Sequence, residues 1–111
     1  MSADSFKVFI GLRFDIDFTN EDKMEKIENG TDARIELAKK AGLEYFTGGR
    51  DEEDDHLFIG QAIDTFGWEY NSHRQMDVTQ LSETYKNISE KMSSVGFNET
   101  PQIHFQFFGN Q

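Results

Sequence analysis

Residues 6–18, FKVFIGLRFDIDF, alternate without a break. Phe6, Val8, Ile10, Leu12, Phe14, Ile16 and Phe18 are apolar, and Lys7, Phe9, Gly11, Arg13, Asp15 and Asp17 lie between them. Successive side chains of a strand point to opposite faces, so this run predicts a long β-strand with one wholly apolar side. A helix would scatter the same residues around its circumference. The strand must bury that side, and the rest of the chain has to supply the cover.

Helical spacing follows at once. Thr19 opens a helical region with Glu21 and Asp22 in its first turn, where negative charge suits the helix N-terminus. Asn29-Gly30 interrupts it, Thr31 is placed to cap a second piece carrying Ile35, Ala38 and Ala41, and Gly42 is the expected stop. The region reads as one kinked helix or as two short ones. LEYFT (43–47) and LFIGQAI (57–63) are strand candidates, the second continuing toward Phe66–Tyr70 through a bulge or turn near 64–67. Asp77 is a plausible N-cap with Gln80 as its capping-box partner. Leu81, Tyr85, Ile88, Met92 and Val95 then follow at helical spacing before Gly96. Thr100-Pro101 leads into a last strand, QIHFQFF (102–108).

Strand, helix, strand, strand, helix, strand is the order of an α+β, ferredoxin-like (βαββαβ) two-layer sandwich, with a four-stranded antiparallel sheet and two helices on one face. The triplet Phe-Ile-Gly occurs at 9–11 and again at 58–60, on the first and third strands. In this fold those strands are central neighbours, and the echo is either the trace of an internal repeat or a coincidence in a Phe-rich chain. At 111 residues the whole chain, 1–111, suits a single domain.

With the even positions of the first strand under the helices, Leu57, Ile59 and Ile63 are expected beside them, joined by Ile103, Phe105 and Phe107. The reverse side then presents Phe9, Gly11, Arg13, Phe58, Gly60, His104, Gln106 and Phe108, with Tyr45 or Phe46 added by the second strand. So many rings on an uncovered sheet face approach the area that marks an interaction site. Phe9, Arg13, Phe58, His104 and Phe108 are therefore the expected partner-binding residues. The competing expectation is that the 64–76 segment folds over this face as a lid.

Charge narrows the choice of partner. The net charge is −10 and the chain has no cysteine. Long-range repulsion disfavours nucleic acid. A protein partner is expected, either a basic one or a second copy in a homodimer, and an inhibitor or immunity-type role fits. Asp51, Glu52, Glu53, Asp54 and Asp55 form an acidic rim. Their contiguity, with no glycine among them, argues for a solvated hairpin loop rather than a calcium loop, and no metal is assigned. Nucleophile elbows and phosphate-binding glycine patterns are absent, so no catalytic residue or cofactor is assigned and binding is preferred to catalysis. The alternative is a small-ligand binder or enzyme with a pocket near Arg13, Tyr45 and His104. No leader and no membrane-spanning run is visible, and the expected location is cytoplasmic.

Overall fold

The computed structural model describes residues 4–17, 19–48 and 56–108. Its elements are β1 (Ser5–Asp15), α1 (Glu21–Glu28), α2 (Ala33–Ala41), β2 (Glu44–Gly48), β3 (His56–Gly67), α3 (Val78–Ser94) and β4 (Gln102–Phe108). The four strands form one antiparallel sheet in the order β2-β3-β1-β4. The two longest strands, β1 and β3, are its centre.

The first crossover is two helices, and each begins one residue later than the capping pattern suggests. Asn20, not Thr19, accepts from Lys23 N–H, and Asp32, not Thr31, accepts from Arg34 N–H. Both threonine hydroxyls are engaged elsewhere, that of Thr19 by the Asp17 carboxylate at 2.6 Å and that of Thr31 by the Lys26 carbonyl at 3.4 Å. Arg34 also pairs with Asp32 through its side chain, which holds the Asp32 carboxyl below the usual carboxylate range. Gly42 ends α2 in the left-handed conformation, with φ of 71°. The expected capping box between Asp77 and Gln80 opens α3.

Ile10 and Leu12 of β1, Leu57 and Ile59 of β3, Ile35 and Ala38 of α2, and Ile88 and Met92 of α3 are buried together in the core. Each of the larger aliphatic side chains among them contributes about 1.5–3 kcal/mol through burial. β3 carries a bulge at Ile63, just before the 64–67 stretch where the sequence suggests a bulge or turn: Val8 pairs with Asp64 while Phe9 pairs with Ala62. The strand ends at Gly67 instead of running on toward Tyr70. The Glu44 carboxylate accepts the Ala62 N–H at 2.6 Å.

The helices lie mainly over the centre and the β2 side of the sheet. α2 packs on β2 and β3, and α3 on β1 and β3, while α3 approaches β4 at its start, where the Tyr85 hydroxyl donates to the Pro101 carbonyl at 2.6 Å. Ile103, Phe105 and Phe107 stand on the helix side of the sheet, as the alternation requires, yet they are exposed and take no part in the core.

Candidate docking surfaces

The reverse face gathers the residues that the sequence put there. Phe9 and Phe58 lie edge to face at 5.8 Å, Phe46 stacks on Phe58 at 4.7 Å, and Phe108 lies 5.9 Å from Phe46. His104 packs on Phe9 and Phe58. Its Nε2 is 3.0 Å from the Gly11 carbonyl oxygen, which only accepts, so Nε2 carries the proton. Lys7 places its ammonium 4.3 Å above the Phe46 ring.

Those rings are not bare, and the expectation that they are is corrected. Phe9 and Phe58 are fully buried, while Phe46, His104 and Phe108 are half-buried. Curvature is the reason. Gly11 and Gly60 face each other across the central pair, and a Cβ on Gly60 would lie 2.1 Å from the Ile10 carbonyl oxygen. With no side chains between them the two backbones close up and the sheet coils. The coil brings its two edges together over the rings: a Cβ on Gly48 of β2 would meet the Phe108 ring of β4. Phe9 and Phe58 thus fill a concave face from within. The two Phe-Ile-Gly triplets meet at this glycine pair, each placing its phenylalanine two residues before its glycine.

The 64–76 segment is not the lid. Trp68 is 89 % exposed, and the chain turns back along β3 instead. Asn71 bridges to Phe66 and donates to the Asp64 carboxylate at 2.7 Å, and Arg74 reaches the Ile63 carbonyl and the same carboxylate. The hydrogen bonds from Asn71 and from Thr65 N–H, with the charge of Arg74, hold the Asp64 carboxyl below its ordinary range.

Arg13 is exposed and donates to His56 Nδ1 at 3.0 Å, while His56 Nε2 lies 3.2 Å from Asp15. Arg13 and His104 do share a recess of about 330 Å³, where β1 runs past the start of β4 beside Glu99 and Gln102. Tyr45 does not join them. Its partner is Ile59, which puts it on the helix side, near Lys39. The trio behind the small-ligand alternative is therefore not assembled. The acidic rim Asp51–Asp55 lies outside the described residues. Among the described residues no group of three or more acids or histidines is placed to hold a metal, and no helix is long and apolar enough to cross a membrane.

The surface that sequence reasoning missed is on the other side. Phe105 is 66 % exposed, Phe107 43 %, Phe6 38 % and Ile103 37 %. They are contiguous, because Phe6 pairs with Phe107 and Ile10 with Ile103, and the rings of Phe6 and Phe105 approach to 6.3 Å. The signal was present in the strand order: the last strand of the expected fold is an edge strand. No protein-family model, curated protein or solved structure matches this chain.

Proposed function

We propose that this chain is a protein-docking module with a ferredoxin-like fold, and that it holds its partner at the apolar corner formed by Phe6, Ile103, Phe105 and Phe107. The strand order β2-β3-β1-β4 and the placement of α2 and α3 on one face support the fold. One observation carries the function. Four large apolar side chains lie adjacent and exposed, Phe105 most of all, on a chain whose residues are 29 % charged. Their exposed fractions amount to roughly 300 Å² of apolar surface, the scale at which a patch on a monomer tends to be functional. Phe9 and Phe58, buried on the opposite face, serve this surface by maintaining the curvature of the sheet beneath it.

The test is photo-crosslinking in living cells with p-benzoylphenylalanine at position 105, and at Lys86 on the exposed side of α3 as control. Protein adducts are expected from 105 and not from 86, and adding Phe107→Asp should remove them while leaving the melting temperature of dilute protein unchanged. Absence of adducts at 105, or the same adducts from both positions, would refute the docking reading.

A further inference from the structure

We infer that the partner at this corner is a second copy of the chain, joined by antiparallel pairing of β4 with β4 about a two-fold axis through Phe105, so that two four-stranded sheets become one of eight strands. This rests on the docking reading above and specifies its occupant.

The edge itself is the first argument. Among the described residues β4 has a neighbour on one side only. Natural edge strands are blunted by charge, proline, bulges or shortness. β4 has none of these: Gln102–Phe108 contains no charged residue and no proline, and it pairs with β1 in unbroken register over seven residues. The opposite edge, β2, is shorter, at five residues, and begins with Glu44.

The orientation of the backbone is the second. The Ile10 carbonyl lies against Gly60 on β3, so alternation turns Gly11, Phe9 and Lys7 toward β4. Their partners on β4, Gln102, His104 and Gln106, complete those pairs. Ile103, Phe105 and Phe107 therefore direct their N–H and C=O groups off the sheet. The Gln106 side-chain amide donates to one of these outward carbonyls, that of Phe107, at 3.0 Å, and gives it up to the partner's Ile103 N–H when the strands pair. The residues whose backbone groups point off the sheet are thus the ones whose side chains form the exposed corner. A two-fold axis at Phe105 sets Phe105 against the partner's Phe105 and Ile103 against the partner's Phe107. The side chains of Ile103, Phe105 and Phe107 from both copies then lie on one face. On the other, His104 meets the partner's Gln106.

Charge selects a second copy as the occupant. A basic partner is drawn to acids, and β4 offers none. Two copies, each of net charge −10, repel wherever their acids meet, but β4 against β4 brings only uncharged residues together. Added salt should screen the residual repulsion and strengthen the dimer, whereas it would weaken the grip on a basic partner. A seven-residue edge with one small patch falls near the lower end of the area range for specific complexes, so dissociation on dilution is expected.

Sedimentation velocity on the purified full chain decides the matter. The wild type should shift from monomer to dimer with rising concentration, more readily at high salt. Phe105→Asp and Phe105→Lys should each be monomeric, because like charges would face each other across the axis. An equimolar mixture of the two should dimerise again, since position 105 meets position 105 in this register and in no other. A wild type that stays monomeric up to roughly millimolar concentration overturns the inference. A dimer that survives Phe105→Asp, or a mixture that does not recover, also overturns it. A monomeric wild type that still crosslinks from position 105 to a different protein ends self-pairing alone. No crosslink at 105 ends the docking reading with it. Thermal melts of both variants, expected to match the dilute wild type, show that any monomer is folded.

Discussion

The two sides of this sheet are built from the same residue and have opposite fates. On the reverse side Phe9, Phe46, Phe58 and Phe108 close over one another, and two of them lose all contact with solvent. At the β4 corner Phe6, Phe105 and Phe107 stay exposed to solvent. Hydrophobicity does not separate the two groups; geometry does. Facing glycines let the sheet curl around the first group, while the main helix contacts fall on β1, β2 and β3 rather than on the strand that carries most of the second. An uncovered sheet face is therefore not automatically an available one, and the side that carries the helices is not automatically closed.

The largest effect that would test this contrast comes from Phe58→Ala. Removing a fully buried ring should destabilise the fold by about 3–5 kcal/mol. Against a total of about 5–15 kcal/mol for a domain of ordinary stability, that places the variant near unfolding. Urea denaturation followed by far-ultraviolet circular dichroism gives the number. A loss of less than about 1 kcal/mol would mean that the reverse face is open in solution and that the contrast is false.

Curvature is tested next, with a smaller expected effect. In Gly60→Ala the new methyl would sit 2.1 Å from the Ile10 carbonyl oxygen, so the central strands must separate and the sheet must flatten. A loss of about 1–3 kcal/mol is expected, as for other overpacked sites. A flatter sheet would also draw Phe108 away from Gly48 and loosen the ring cluster. NMR would show this as ring-current-shifted resonances of Phe9, Phe46 and Phe58 moving toward their ordinary positions. Unshifted rings in a destabilised Gly60→Ala variant would detach the glycine pair from the closure of the face.

Much of this architecture can be read in the chain, and the part that cannot has a physical reason. Strict alternation identifies β1, the Asp77–Gln80 box identifies the start of α3, and the two Phe-Ile-Gly triplets bring Gly11 and Gly60 together at the sheet centre. Alternation assigns each residue to a side, and those assignments hold for Phe9, Phe58, His104, Phe105 and Phe107 alike. It is silent on coverage. Whether a side is covered depends on how far two distant backbones approach, as at Gly11 and Gly60, and on where the helices come to rest across the sheet. Neither is encoded in any local window. The caps fail on a finer scale for a similar reason: Thr19 and Thr31 have suitable hydroxyls, but each has a nearby competitor, and the next polar residue takes the cap. Tyr45 and Phe46 are adjacent in sequence, and only the register with β3 decides that Phe46 joins the rings and Tyr45 faces the helices.

The smallest expected effect is the other half of the comparison. Phe105→Ala removes a ring of the same size as that of Phe58, yet most of that ring is already in water, so dilute protein should change in stability by no more than about 0.5 kcal/mol. The same substitution separates a bare corner from a paired one. If two copies join through β4, the wild-type melting temperature must rise with protein concentration, because association stabilises the folded state by mass action. Phe105→Ala removes the contact at the two-fold axis, so its melting temperature should stay flat over the same range and converge with the wild type on dilution. A wild-type melting temperature independent of concentration would leave the corner as a docking surface for some other protein. A dilute Phe105→Ala variant as unstable as Phe58→Ala would show that the corner is core after all, and the two sides would no longer differ.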